Sequence, residues 1–357
     1  MKINNISSIN FYAKIIDSHC HVGQWNEGSA LKDYSKDMDV FIKNTLENGD
    51  VVEKALVSNL DCMARDKNGT FLLNEIDGNK KLLEHTKNNP KLAPLATCQP
   101  GYGNVENIKK LFSENPNSFI GLKLHPEQLA IVADDKVYEP YMSFAKEKKI
   151  PCLFHSGGTS VSNPKAILNL ATRYPEVDII IAHWGAEYGG NYDTVTDIII
   201  DSVKNKKTKI YADISWVDCN DSTKPTLKNI IKQLKKENAL DRILFGSDAP
   251  LGRFSGEGEN NIKPMQAYTQ MIDDIKNMIK KEFPQNEADE IIEKIFYKNS
   301  ENLFFSGNNT KQPVTKTKNN KAFIIGGLLT FLGGLLCLSR HKKNKENANN
   351  KNLSCVI

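Results

Sequence analysis

Eight short apolar runs, separated by longer amphipathic stretches, limit the folds open to this chain more than any other feature. They lie at residues 15–19, 52–60, 92–98, 119–124, 151–155, 177–182, 209–214 and 242–245. Between them, apolar residues recur at helical spacing, as in 137–148. Parallel strands need long crossover connections, which are usually helices. Eight strand–helix repeats over about 250 residues predict an α/β protein folded as a (β/α)8 TIM barrel.

Three features of this pattern bear on the details of the barrel. Periodicity alone does not report whether a sheet closes on itself, so a doubly wound open sheet is the alternative. Asn163-Pro164 is typical of a helix start and predicts a helix that runs to Arg173. Residues 286–305 are amphipathic and predict a last helix that packs on the barrel.

Charge is unevenly distributed along the 357 residues. The chain has 47 Lys/Arg and 43 Asp/Glu, a net charge of +4. Residues 307–357 contain nine of the basic residues and one of the acidic ones, so residues 1–306 carry −4. The main domain therefore lacks the basic footprint of a nucleic-acid-binding protein, and no nucleic-acid partner is expected.

The composition and the termini indicate a location. Seven scattered cysteines without a C-x-x-C motif favour reduced thiols in a cytosolic setting. Residues 1–14 are polar and lack the apolar core of a secretory signal. Residues 307–321 read as a basic linker, 322–338 as a transmembrane helix at the short end of the usual range, and 339–357 as a basic tail. A buried core helix is the alternative for 322–338. We expect a cytoplasmic domain, residues 1–306, tethered to a membrane by a C-terminal single-pass helix.

The first strand candidate ends in polar residues, Asp17-Ser18-His19-Cys20-His21. Alternate side chains share one face of a strand, so Asp17, His19 and His21 point the same way. Two imidazoles about 7 Å apart along a strand can reach a single divalent ion. Taken alone, such a pair more often consists of ordinary polar residues near a loop.

Further polar residues follow the ends of other strand candidates. They are His125, His155, His183 and Asp248. Barrel enzymes assemble their active sites at this end of the strands, whereas core filling does not explain five histidines at equivalent positions. Imidazoles and a carboxylate suit Zn²⁺, with Mn²⁺ as the alternative. Such an ion activates water near neutral pH and polarises a carbonyl group, and a nearby carboxylate can carry the proton.

Five motifs, D-x-H-x-H, G-L-K-L-H-P, H-S-G-G, A-H-W-G and G-S-D-A-P, occur in this order. Together they resemble the amidohydrolase superfamily, in its amidohydrolase-related branch (amidohydrolase 2), over residues 14–305. The resemblance implies a TIM-barrel catalytic domain, residues 1–306, with His19, His21, His155 and Asp248 as metal ligands. By the same resemblance, Asp248 is also the proton shuttle.

The resemblance leaves the number of metal ions at one or two. His183 would orient or protonate substrate in a mononuclear site, or bind a second metal in a binuclear one. Lys123 stands where binuclear members carry a carbamylated bridging lysine, and an unmodified lysine that contacts substrate is the alternative. His125 is expected to be structural or to support a ligand.

Several other residues are weaker candidates. Asp213 could line the pocket or cap a loop. Asp17 is expected to accept a hydrogen bond from a ligand imidazole. Trp25, Trp184 and Trp216 follow strand ends and could wall the pocket.

These features favour a metal-dependent hydrolase that acts on an amide, lactone or ester bond of a small molecule. A non-oxidative decarboxylase of the same family shares the ligands and is the alternative. A TatD-type metal-dependent deoxyribonuclease ranks lower, because that group carries a glutamate in place of Lys123. A non-catalytic scaffold would not retain every expected ligand. The expected partners are a small-molecule substrate and, through the C-terminal helix, a membrane, and homo-oligomerisation is left open.

Overall fold

The computed structural model describes residues 12–306, except 28–29, 44, 158, 186–191, 218–226 and 252–262. The chain divides into two units, residues 1–312 and 313–357, and all described residues belong to the first. The linker predicted at 307–321 and the basic tail predicted at 339–357 lie outside the described residues.

One sheet of eight parallel strands forms the centre of the first unit. The strands are β1 Lys14–Val22, β2 Val51–Asn59, β3 Leu92–Thr97, β4 Gly121–Leu124, β5 Cys152–Phe154, β6 Asp178–Ile181, β7 Lys209–Asp213 and β8 Ile243–Leu244. Each strand pairs with the next one along the chain. All eight strand predictions are confirmed, because short runs rich in apolar residues suit a parallel sheet that is buried on both faces.

The first strand also bonds to the segment that follows β8. The N–H of His21 donates to the carbonyl of Ala249 at 2.8 Å, and the N–H of Asp248 donates to the carbonyl of His19 at 2.8 Å. These bonds bring the two ends of the sheet together in a nearly closed, TIM-barrel-like arrangement. The predicted barrel is confirmed in this form, and the open doubly wound sheet is wrong.

One long helix follows each strand. These helices are α1 Ser35–Lys43, α2 Glu75–Thr86, α3 Val105–Glu114, α4 Glu139–Lys148, α5 Pro164–Arg173, α6 Tyr192–Asn205, α7 Leu227–Lys236 and α8 Pro264–Glu282. The predicted start of α5 is confirmed, since the Asn163 side chain accepts the N–H of Lys165. An antiparallel pair, Gln24–Glu27 with Ala30–Asp33, lies after β1.

The strands divide their apolar side chains between two cores. An inner cluster takes one residue or more from most strands, including Ile16, Leu56, Leu153, Ile180 and Leu244. Residues adjacent to these in sequence, such as Ile15, Ala55, Cys152 and Ile179, belong to a larger cluster that includes the apolar faces of the helices. This alternation is the two-residue period of a strand with both faces buried.

The C-terminal helices close the barrel at the end where the strands begin. They are Gln285–Glu293, a π-helical turn Lys294–Lys298 and Asn299–Phe304, so the helix predicted at 286–305 is interrupted. The Ile295 carbonyl in the π turn accepts the N–H of Phe245 at 3.0 Å. The Asn299 amide donates to the carbonyls of Leu240 and Ile243 at 2.7 and 2.8 Å.

The structure does not bear out the expected membrane tether. Within the described part of the chain, no helix is long and apolar enough to cross a membrane. The longest helix of that part, α8, carries Lys and Asp side chains along its length, as a helix on the outside of a barrel must. Residues 322–338, on which the transmembrane prediction rested, lie outside the described residues. The prediction of a membrane-tethered cytoplasmic domain is wrong on this finding.

Candidate metal centre

The polar residues singled out in the sequence meet at the carboxyl ends of the barrel strands. They are His19 and His21 on β1, Lys123 on β4, His155 after β5, His183 after β6 and Asp248 after β8. All are buried, and the most exposed of them retain 7% of their surface. The site is therefore a buried polar cluster inside the mouth of the barrel.

Three of the four predicted ligands converge on one point. The Nε2 atoms of His19 and His21 lie 3.3 and 2.9 Å from Oδ1 of Asp248. One ligand atom from each of these residues lies within 4.8 Å of the other two. Within the described ranges, this is one of two groups of three His, Cys, Asp or Glu side chains that could hold a metal ion.

Asp213 at the end of β7 holds the second such group together, with His19 and His183. Its Oδ2 lies 3.0 Å from Nδ1 of His19, and its Oδ1 accepts the backbone N–H of His183 at 3.0 Å. An ionised carboxylate only accepts, so Nδ1 of His19 carries the proton and Nε2 keeps its lone pair. A carboxylate behind a ligand imidazole fixes the tautomer and the ring orientation. Both roles open to Asp213 from sequence are observed, since it lines the site and its Oδ1 also accepts the N–H of Ser215 in the loop that follows at 3.1 Å.

Close packing between strands makes these contacts possible. Gly246, just after β8, has no side chain, and a Cβ there would lie 2.9 Å from Cβ of Asp213 and 3.0 Å from Cβ of His19. Any other residue would push these two apart, so the position requires glycine.

His21 has its own support on β2. Its Nδ1 lies 2.9 Å from the hydroxyl oxygen of Ser58, while its Nε2 contacts Asp248. A serine hydroxyl can donate or accept, so it stabilises either tautomer of the ring. Nε2 of His21 can therefore give up its proton to become a ligand without the loss of this contact.

His155 lies outside both three-residue groups. Its Nδ1 is 3.2 Å from Nε2 of His183, and its Nε2 is 3.2 Å from Oε2 of Glu127. His183 in turn places its Nδ1 2.7 Å from the hydroxyl of Ser215. The ligand role of His155 and the substrate role of His183 stay predictions, but the two rings are adjacent.

Lys123 is fully buried beside the first group. Its Nζ lies 2.7 Å from Nε2 of His19, the nitrogen that faces Asp248. The predicted position next to the metal ligands is thus observed, and the predicted carbamylation is untested.

Burial and charge set the protonation states of the cluster. Burial lowers the pKa of His21 to about 4 and that of His183 well below its usual value. For Asp248, burial acts to raise the pKa, but the nearby imidazoles of His19, His183 and His21 outweigh it and hold the pKa well below normal. Neutral imidazoles next to an ionised carboxylate are the protonation states that metal binding requires.

Asp17 differs from expectation. It accepts the backbone N–H groups of Ser247 at 3.0 Å and His19 at 3.2 Å, and the hydroxyl of Tyr268 at 2.8 Å. The prediction that Asp17 supports a ligand imidazole is therefore wrong. Its carboxylate instead fastens the segment after β8 to β1, because the chain turns there and leaves backbone donors that need an acceptor.

Some of the remaining candidates have structural roles, and others contact the site. The ring of His125 stacks on that of His155 with centroids 3.8 Å apart, which agrees with a supporting role. The indole N–H of Trp184 donates to Thr196, away from the cluster, and Trp25 packs on Tyr34 and its neighbours. Of the three tryptophans, Trp216 contacts the site.

Sequence reasoning missed the residues whose polar side chains contact the histidines of the cluster. Ser58, Glu127 and Ser215 each contact one imidazole of the cluster. Ser58 and Ser215 lie at or just after strand ends, and that position was the available signal. Short hydroxyl residues there are too common for it to be specific.

The donor atoms fit a divalent metal. Two imidazole nitrogens and a carboxylate oxygen match the ligands of catalytic Zn²⁺ and Mn²⁺ sites, which keep a position open. His19, His21 and Asp248 would hold the ion. The pair His155 and His183 is the nearest further source of ligands.

Several solved structures with the same fold carry the names of enzymes. A probable 2-pyrone-4,6-dicarboxylic acid hydrolase from Acinetobacter baumannii aligns with a TM-score of 0.53 and 16% identity, over 81% of this chain and 98% of that one. A 4-oxalomesaconate hydratase from Rhodopseudomonas palustris aligns at 0.50 and 16%, over 81% and 95%. A 5-carboxyvanillate decarboxylase from Novosphingobium aromaticivorans, complexed with manganese, aligns at 0.50 and 12%, over 83% and 97%. At these identities the likeness shows the fold alone.

Comparisons of sequence give the family. No curated protein matches the chain. The amidohydrolase family model matches residues 106–305, which is more than half of the chain and includes Lys123, His155, His183 and Asp248. The motifs, the barrel and this match agree, and the chain belongs to the amidohydrolase family.

Proposed function

We propose that this protein is a metal-dependent hydrolase that cleaves an amide, lactone or ester bond of a small molecule. The observation that carries the proposal is the convergence of His19, His21 and Asp248 donor atoms within 4.8 Å, buried at the mouth of a barrel. A Zn²⁺ or Mn²⁺ ion held there would act as a Lewis acid and make water nucleophilic at neutral pH.

The residues of the chain supply binding and proton transfer. Asp248 is ionised at neutral pH, since its pKa lies well below normal, so it can take a proton from the attacking water. The same carboxyl group then returns that proton to the leaving group. His183 is neutral at this pH and lies next to His155, where it can orient the substrate carbonyl.

Lys123 favours decarboxylation as a second candidate reaction. An unmodified lysine buried within 2.7 Å of His19 offers a cation for a substrate carboxylate. One solved structure of this fold is a decarboxylase with bound manganese. A carbamylated Lys123 would instead be an anionic ligand and favour hydrolysis with two ions.

A product analysis distinguishes the two reactions. The Zn²⁺- or Mn²⁺-loaded full chain is incubated with panels of small lactones, esters, amides and aromatic carboxylic acids, and acid release and CO₂ release are measured. We expect acid release, and a loss of about 10²–10⁴-fold in Asp248→Asn, the size of a lost general base. His85→Asn, on α2, should retain full activity. CO₂ release without hydrolysis would establish the second candidate, and no turnover of any panel by metal-loaded protein would contradict both.

A further inference from the structure

Trp216 has a distinctive position, exposure and backbone conformation. It follows β7 at the candidate site, yet 44% of its surface is exposed. Its backbone φ is +62°, in the left-handed region that bulky side chains seldom adopt. Asp248 also has a positive φ, +64°, as do His183 and Trp184. Observed backbone strain of this kind clusters at functional sites and points to a role for the side chain.

The side chain of Trp216 is bonded to Asp248. Its indole N–H donates to Oδ2 at 2.8 Å. The other oxygen, Oδ1, faces Nε2 of His21 and His19 at 2.9 and 3.3 Å. One carboxylate thus divides its two oxygens between the candidate metal ligands and the indole. An indole N–H can only donate and cannot itself bind the metal, so this contact has one direction.

The segment that ends in Trp216 holds two more members of the cluster. Asp213 bonds Nδ1 of His19, and Ser215 bonds Nδ1 of His183. The three contacts come from four consecutive residues, 213–216. The short stretch after β7 therefore orients three side chains of the site at once, and Trp216 is its contact to the carboxylate.

We propose that Trp216 is a positioning residue for the metal centre. Its indole N–H fixes the Asp248 carboxylate with Oδ1 directed at the two β1 histidines, and it thereby raises the affinity for a divalent ion. The inference rests on the proposed metal-dependent function. Without the donor, the carboxylate loses a restraint on rotation about its Cβ–Cγ bond and presents its ligand oxygen for a smaller share of the time.

The test measures Zn²⁺ affinity of the full chain by competition with a chelator. Trp216→Phe removes the donor and keeps a ring, and we expect affinity to fall about 10-fold or more, as for other groups that orient a ligand. Trp216→Leu removes both, and its affinity should match that of the Phe variant. Trp25→Phe, in the Tyr34 cluster, is the matched control and should bind like the wild type. A packing role predicts the opposite pattern, with Phe near the wild type and Leu weak.

A double-mutant cycle tests whether Trp216 affects metal affinity through the Asp248 carboxylate. In an Asp248→Ala background, Trp216→Phe should cause no further loss of affinity, because the acceptor is gone. Melting temperatures of all variants show that the chains are folded. Wild-type affinity in Trp216→Phe, or equal losses with and without Asp248, would overturn this inference alone. A folded wild type that binds no metal would overturn it together with the proposed function.

Discussion

Asp213 shows how much of the site depends on a single residue behind a ligand. It bonds Nδ1 of His19 and the backbone of His183, and hydrogen bonds from Ser215 reach it as well. The imidazoles of His19 and His183, together with these hydrogen bonds, hold the pKa of Asp213 below its usual value despite complete burial. Asp213 therefore stays ionised and fixes the tautomer that His19 needs as a ligand.

Replacement of this carboxylate should weaken metal binding while the fold persists. In Asp213→Asn the shape is kept, but the anionic acceptor for His19 is lost. We expect a 10- to 100-fold drop in Zn²⁺ affinity, measured by chelator competition, which is about the effect of other changes behind metal ligands. Asp241→Asn, an exposed acid before β8, should bind normally. Unchanged affinity in the Asp213 variant would show that it does not orient His19.

A residue far from the site gives a prediction about pH. Asp178 begins β6, and burial raises the pKa of its carboxyl although Lys209 and Arg242 act to lower it. A raised folded-state pKa means that the charged form is disfavoured in the folded chain. The resulting loss of stability is present above that pKa and vanishes below the unfolded value near 3.8.

Asp178→Asn should therefore stabilise the protein at neutral pH. We expect a rise in melting temperature of about 1–3 °C at pH 7, the scale of a stability change below about 1 kcal/mol. The gain should shrink as the pH is lowered from 7 toward 4. A gain that grows on acidification would give the opposite sign and would show that Asp178 is stabilised as a carboxylate.

At the scale of elements, a buried ion pair joins α8 to the start of β2. Lys276 donates to both oxygens of Asp50 at 2.8 Å, and Asp50 also accepts the N–H of Ala13 at 2.7 Å. Asp50 is fully buried, so removal of the ammonium leaves an unpaired charge in the interior.

Lys276→Met should destabilise the fold by about 3–5 kcal/mol in urea unfolding, the usual effect of a broken buried pair. Lys232→Met, in an exposed pair with Glu282, should change stability by less than about 1 kcal/mol. The double variant Asp50→Asn with Lys276→Met should recover part of the loss. Equal, small effects at both lysines would mean that the buried pair does not join these elements.

The elements were predictable from sequence because their signals are local. Short runs rich in apolar residues identify all eight strands, and Asn163 identifies the start of α5. The interruption of the last helix was not predictable, because the π turn depends on a bond from Phe245, fifty residues earlier in the chain. The predicted membrane location rested on the apolar run 322–338, which lies outside the described residues, and no helix of the described residues is long and apolar enough to cross a membrane.

The site was predictable in part, for a similar reason. His19, His21 and Asp248 follow from strand-end motifs, since the barrel brings all strand ends to one mouth. The contacts of Glu127, Asp213 and Trp216 depend on rotamers and on how loops cross the mouth. Neither the rotamers nor the paths of the loops can be predicted from a local sequence pattern. Asp17 is a further example. A register shift between Asp17 and Cys20 breaks the two-residue alternation, so Asp17 meets Tyr268 of α8 and does not share the face of His19 and His21 as predicted.

At the scale of the whole molecule, the proposed function requires that the mouth of the barrel bind a divalent metal. The fold, the family match from 106 to 305 and the donor atoms all agree with it. Metal content also bears on Lys123, because a bridging carbamylated lysine requires two ions. The number of ions per chain thus tests both the site and its extent.

Elemental analysis of the purified full chain, after incubation with Zn²⁺ or Mn²⁺ and removal of the excess, is the most direct test. The account predicts about one ion per chain, or about two if Lys123 is carbamylated, as expected for catalytic sites of one or two metals. His19→Ala should lose the ion, and His85→Ala, on α2 and paired with Asp39 outside the polar cluster, should keep it. A folded wild-type chain that remains free of metal after both incubations would contradict the account.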